Sequence, residues 1–269
     1  MMEILTYNFF QNALLIGILA SIACGIIGPF VVAKRISFLS GSIAHSSFGG
    51  IGLAYFLGFN PLIGAAIFSV MSALGIGVVS KKFKKNEDAA IGAMWSLGMA
   101  IGLVFIYLTP GYSADLFSYL FGNILMTSFT DLFLAVTLNI IIITSVFIFY
   151  RWFSAIIFDE EFAEVTNIAT FPIYLFLLCL VALTIVILIR IVGVILVIAL
   201  LTLPAASAQT FNKSFKKIIP WSIFFGCLFT TTGIFLSYYL NMPSGPMIIF
   251  VACLVYAGFL ICDRLRLLQ

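Results

Sequence analysis

Apolar segments of bilayer length follow one another through this chain with little between them. About 20 apolar residues span a membrane as a helix. Nine such segments can be drawn, at 11–32, 43–58, 61–80, 89–109, 129–150, 171–189, 193–211, 219–240 and 246–262. The breaks carry turn residues, as at Asn60-Pro61, Thr109-Pro110-Gly111 and Pro243-Ser244-Gly245-Pro246. They are too short to hold a soluble domain. Only 9% of residues are charged, against about 25% in a soluble domain. The fold expected is all-α: a polytopic transmembrane helical bundle of about nine spans, with eight as the alternative count. Residues 1–269 form one transmembrane domain in this reading. Met1–Phe10 holds Glu3 and no basic run, so the first segment is expected to stay rather than be cleaved.

Basic residues orient the bundle. With the N-terminus outside and the C-terminus cytoplasmic, the inner loops hold Lys34, Arg35, Lys81, Lys82, Lys84, Lys85, Arg151, Lys213, Lys216, Lys217, Arg264 and Arg266. Of the 13 basic residues only Arg190 is left outside, read here as a snorkelling side chain. Cytoplasmic loops carry such an excess of Lys and Arg, so the distribution supports both the orientation and an odd number of spans.

Small residues mark close helix approaches: Gly98 and Gly102 form a GxxxG pair, and Gly49, Gly50 and Gly52 cluster near Ser46 and Ser47. Packing within one bundle and a dimer seam are both open readings. Pro29 and Pro204 are expected to kink their spans. Residues 111–127 are aromatic and moderately polar, and read as an outer-face or re-entrant segment. Asp115 is expected in a wet loop there, with contact to a partner as the alternative, and Asp131 is expected to be solvated. Cys24, Cys179, Cys227, Cys253 and Cys262 show no metal-site spacing and read as buried free thiols.

Two features suggest function. The lone histidine, His45, lies inside an apolar span, where an ionisable group marks a transport pathway by default. Imidazole suits soft and borderline metals. The alternative is a packed histidine bonded to a backbone carbonyl. One imidazole cannot hold zinc firmly, which takes three or four protein ligands. Facing His45 side chains of two copies, with Ser42, Ser46 or water, would make a loose shell suited to a conduit. The second feature is an inner loop, where Asp159, Glu160, Glu161 and Glu164 gather four of the chain's ten acids. Phe158, Phe162 and Val165 recur at spacings of four and three, which predicts a short amphipathic helix. Such a helix could dock into a groove on another protein or lie solvated on the membrane. No phosphate-binding loop, HExxH or GxSxG is present, so no catalytic activity is expected of the chain itself.

These residues resemble a known family: the permease subunit of ATP-binding-cassette importers for transition metals (zinc, manganese, iron). Gly28-Pro29-Phe30-Val31-Val32 with Lys34-Arg35-Ile36-Ser37-Phe38-Leu39 resembles its GPFLV-x-RRMSFL passage. Ser42-Ile43-Ala44-His45-Ser46 resembles ALSHA, and Glu87-Asp88-Ala89-Ala90-Ile91-Gly92 the E-x-x-IG start of a span. Phe121-Gly122-Asn123-Ile124-Leu125 resembles FGNIL, and Phe158-Asp159-Glu160-Glu161-Phe162-Ala163 resembles DPEFA. Val192-Gly193-Val194-Ile195-Leu196-Val197, Leu203-Pro204-Ala205-Ala206-Ser207-Ala208, Tyr238-Tyr239-Leu240 and Pro243-Ser244-Gly245-Pro246 match four later stretches in order.

The resemblance implies a second permease copy, a homodimer by preference, with the pathway between the two. It also implies cytoplasmic ATPase subunits, an extracytoplasmic metal-binding protein, alternating access and a bacterial inner-membrane location. It makes Asp159, Glu160, Glu161, Phe162, Ala163 and Glu164 the ATPase-coupling stretch and His45 a pathway residue. The cargo would be a divalent transition metal, zinc first, then manganese or iron(II). No stably bound cofactor and no nucleic-acid partner are expected. Two positions depart from the pattern: Gly41 stands where many members have an acid, and Asn167 where many have glycine. The missing carboxylate counts against manganese, which favours oxygen ligands. Alternatives are an importer of a chelated metal or siderophore, an ion-coupled secondary transporter, and a non-transporting scaffold.

Overall fold

A computed structural model describes residues 6–82, 87–110 and 116–266, and everything in it beyond turns is helical. The helices are α1 (Asn8–Lys34), α2 (Ser37–Leu57), α3 (Pro61–Lys82), α4 (Glu87–Leu108), α5 (Leu116–Phe121), a 3₁₀ turn (Ile124–Met126), α6 (Phe129–Phe158), α7 (Glu160–Val165), α8 (Thr170–Phe211), α9 (Phe215–Leu240) and α10 (Ser244–Arg266). Lys84, Lys85, Asp115 and the side chains of Arg190, Arg264 and Arg266 lie outside the described residues.

Among the described residues seven helices are long and apolar enough to cross a membrane: α1, α3, α4, α6, the Thr170–Ile189 part of α8, α9 and α10. The remaining two expected segments are also helical. One is Val197–Phe211, a shorter apolar helix. The other is α2, whose serines, glycines and His45 lower its hydropathy. Lipid need not accommodate that polarity, because α3, α4 and α8 cover α2 and bury nearly all of it from Leu39 to Ala54.

The helices share two ends. At one end the Thr170 hydroxyl donates to Glu164 (3.0 Å) and the Lys81 ammonium sits 4.7 Å over the Phe171 ring. Phe215, just beyond α8, meets Phe30 at 5.0 Å and Phe158 at 5.3 Å at that same end. Both termini of α8 therefore lie together, and the helix doubles back between them. The reversal falls at Gly193 (φ 74°, ψ 166°), the one non-helical residue inside α8. Pro29 and Pro204, where kinks are expected from the sequence, both lie within continuous helix. Proline removes one donor, but glycine alone adopts this backbone region without strain.

At the opposite end three backbone segments meet on glycines. A Cβ on Gly122 (φ 76°) would lie 2.4 Å from the Ile191 oxygen, one on Gly193 within 2.5 Å of the Gly122 nitrogen, and one on Gly245 2.4 Å from the Phe121 oxygen. Of the expected re-entrant or outer-face segment 111–127, residues 111–115 lie outside the described residues, and the rest is a short helix and a 3₁₀ turn laid on the tip of α8. Ile124 is fully buried and reaches Gly17, nine residues into α1, about 14 Å along that helix. Asp131 is also here, and the expectation of a solvated acid is corrected: it is buried, accepting from the Ser128 backbone N–H (2.9 Å) and hydroxyl (2.8 Å) as the third residue of a capping box. The box satisfies donors at the start of α6 that hydrocarbon would leave unpaired.

The cysteines divide as well. Only Cys24 is buried; Cys179 and Cys227 are half-buried, and Cys253 and Cys262 are exposed on α10. Asn167 follows α7 with φ 59°, a left-handed position that asparagine tolerates better than most residues.

Candidate functional site

α2 and α4 run parallel and touch through small residues. A Cβ on Gly98 would lie 2.4 Å from Ser46 Cα, and one on Gly52 would lie 2.2 Å from the Gly102 oxygen. The GxxxG pair therefore packs inside the chain and is not a dimer seam. Gly50 and Gly64 make the matching approach between α2 and α3, each 2.1–2.2 Å from the other's oxygen when given a Cβ. Small residues let the backbones close in, and dispersion then holds them.

This packing fixes His45. It lies eight residues into α2, about 12 Å along a helix about 31 Å long, so it stands near mid-depth. Trp95, eight residues into α4, lies level with it, and the two rings stack at 4.2 Å with 10° between planes. The sequence reading missed Trp95, because the expected segments began at 43 and 89 and so did not place the two rings level. Between Leu39 and Ala54, His45 and Leu53 alone are not fully buried. The His45 Nδ1 is buried and has no hydrogen-bond partner among the described residues. A histidine bonded through Nδ1 to a carbonyl is therefore not what α2 presents.

Ser42 and Ser46 are near but occupied. The Ser42 hydroxyl donates to the Ile91 carbonyl (3.4 Å) and Ser46 to the Met94 carbonyl (3.1 Å), both on α4. Their protons stitch α2 to α4, leaving only oxygen lone pairs for a cation. Gly41 is filled from α8: a Cβ there would lie 2.4 Å from Ile198 Cδ1. Among the described residues, no group of three or more His, Cys, Asp or Glu side chains gathers to hold a metal.

The acidic stretch forms α7 at the end shared by Lys34, Lys81 and Phe215. Asp159 caps it, accepting from the Phe162 N–H (2.8 Å). Ala163 is fully buried and anchors the helix, while Phe158, Phe162 and Val165 are 65%, 64% and 80% exposed. Glu160 pairs with Lys34 and Glu164 accepts from Thr170, whereas Glu161 is exposed. Beside α7 lies a cavity of about 680 Å³ lined by Arg35, Leu39, Lys81, Glu161, Phe171 and Tyr174, among others. α7 thus presents an apolar stripe outward while its polar flanks are tied inward.

A family model described as the ABC 3 transport family matches residues 6–263. A membrane protein of Synechocystis sp. is 44% identical over 256 residues, covering 95% of this chain and 91% of that one. The manganese transport system membrane protein MntC of Listeria monocytogenes is 34% identical over 266 residues, covering 98% and 95%. Among solved structures, a chain of PsaBC from Streptococcus pneumoniae in complex with Fab superposes with a TM-score of 0.86 at 30% identity, covering 97% of this chain and 93% of that one.

Proposed function

From the premise that this chain belongs to the ABC 3 transport family, we propose a route for its cargo and a surface for its ATPase. The chain is a multi-pass permease subunit of a bacterial inner-membrane importer handling a divalent transition metal, and it is not itself an enzyme. The remaining assignments are our reading.

His45 is the stepping stone of the transport path. The observation that carries this is a mid-depth imidazole, half-buried in the stretch of α2 from Leu39 to Ala54 where only Leu53 is likewise incompletely buried, with Nδ1 unpartnered among the described residues. A buried polar atom without a partner costs free energy, and a passing cation would offset that cost. One ligand per chain is too few for tight binding, which suits an ion that must leave again, and pairing two copies would double the donors.

Zinc is the first cargo. Ile198 fills the space at Gly41, so no carboxylate stands one turn before the imidazole, and imidazole without carboxylates suits zinc better than manganese. Manganese is the second reading, favoured by the name of the Listeria monocytogenes relative.

The end bearing Lys34, Lys81 and α7 faces the cytoplasm, with the N-terminus outside, nine crossings and residues 1–269 as one domain. The clustering of Lys34, Arg35, Lys81, Lys82 and Lys213 at loops of that end supports this. Asp159–Glu164 then meets the ATPase, the opposite end receives the extracytoplasmic metal-binding protein, and a second copy completes the path.

Uptake at limiting zinc, measured in cells expressing the whole transporter, tests the route. His45→Ala is expected to lower uptake while the complex still assembles. Wild-type uptake by that variant would remove the role. Zinc uptake abolished by excess manganese, with manganese uptake indifferent to zinc, would reverse the order of cargo.

A further inference from the structure

We propose that Lys34 is the strut through which movement of α7 reaches the membrane-spanning helices, a role that rests on reading α7 as the ATPase-docking element. Lys34 is the last residue of α1. Its ammonium donates to the Ile156 carbonyl (2.8 Å) and to the Glu160 carboxylate. Ile156 lies in the last turn of α6, where carbonyls lack a following helical N–H. Glu160 is the first residue of α7. One cation thus closes the elbow between α6 and α7 while belonging to a helix more than 120 positions away in the chain. The negative end of the α6 dipole favours a cation at this spot, and only 20% of the Lys34 side chain is exposed.

The other polar ties of α7 are local. Asp159 caps α7 from its own start, and Glu164 accepts from Thr170 six residues on. Neither reaches a helix that is distant in sequence; Lys34 does. Beyond Lys34, α1 lies along the rest of the bundle with little slack. A Cβ on Gly28 would sit 2.3 Å from the Leu201 oxygen, on Gly25 2.5 Å from Ile223 Cα, and on Gly17 2.6 Å from Thr230 Cγ2. Backbones packed this closely move as bodies and do not deform locally. A push on α7 is therefore delivered to α1, and through it to α8 and α9. Phe162 and Val165, on the outward face, take no part in the strut.

The test uses the whole transporter, with its ATPase and binding protein, in vesicles loaded with a zinc indicator, and reads zinc imported per ATP hydrolysed. Lys34→Met is expected to keep the ATPase bound and hydrolysing while zinc per ATP falls about fivefold or more. Lys34→Arg, which keeps both donors, is expected to transport nearly as the wild type. Lys34→Glu and Glu160→Lys should each uncouple, since either one places two like charges where the pair stood. Wild-type coupling in Lys34→Met, or Lys34→Arg as uncoupled as Lys34→Met, overturns the strut. The docking reading fails separately: Phe162→Ala with Val165→Ser would then leave copurification of the ATPase unchanged, and the strut would fall with it.

Discussion

Gly193→Ala combines a strained backbone with a backbone clash. Two costs add. Alanine at φ 74° and ψ 166° occupies a region that is nearly glycine-only, at about 1–3 kcal/mol. The new Cβ would also stand 2.3 Å from the Leu120 oxygen and 2.5 Å from the Gly122 nitrogen. Those atoms are backbone and cannot rotate away, so the α5 segment must lift from the tip of α8, at about 1–3 kcal/mol of lost packing. The expected destabilisation is about 2–6 kcal/mol, whose upper part lies in the range reserved for named structural faults. Titrating purified chain in mixed micelles with a denaturing detergent, followed by circular dichroism, measures it. Two controls isolate the cause. Gly92 and Gly258 are helical, and a Cβ on either meets nothing within 4 Å; alanine there should leave stability unchanged or raise it by about 0.5–1 kcal/mol. Gly122→Ala attacks the same contact from the other side, so the double variant with Gly193→Ala should lose less than the sum. A Gly193→Ala chain unfolding within about 0.5 kcal/mol of wild type would refute the assignment of Gly193 as the turning point of α8.

Gly98→Leu would force α4 off α2 at Ser46, and with it move Trp95 from His45; zinc uptake is expected to fall while the complex still assembles, and unchanged uptake would show that the α2–α4 spacing does not shape the path. Ser21 and Thr230 share a hydroxyl hydrogen bond of 3.0 Å across α1 and α9, and Ser21 also donates to the Gly17 carbonyl or shares its proton between the two. Alanine at each and at both, measured by the same detergent unfolding, should give a coupling of about 0.6 kcal/mol, and additive losses would mean that the pair contributes nothing beyond its separate contacts.

The spans were legible because lipid is a uniform solvent: it demands apolar length, and composition records length directly. All nine segments expected from the sequence fall on helix, with α2 starting six residues before its expected edge, at Ser37. The glycine spacing of α2 and α4 announced a close approach but not its partner, since GxxxG reads the same within a bundle and between two. Asp131 was misjudged because a single acid near a span edge says nothing about the serine three residues before it until the capping geometry exists. Gly193 stood in a quoted motif, yet Pro204 drew the expected kink, because proline forbids a bond visibly whereas glycine merely permits a backbone angle.

At the candidate site the illegible part has one origin. His45 could be singled out from its chemistry, since an imidazole in an apolar run is costly wherever it points. What it touches depends on α4, about 50 residues away in the chain, while the returning arm of α8 meets α2 one turn earlier, at Gly41. Gly41 makes the point sharpest. In the sequence it is an absence, a glycine where the family passage it resembles has an acid. In the fold it is a presence, because the Ile198 side chain occupies the room an acid would need. A side chain at residue 41 would therefore have to displace the tip of Ile198, so the identity of residue 41 and the packing of α8 on α2 are coupled.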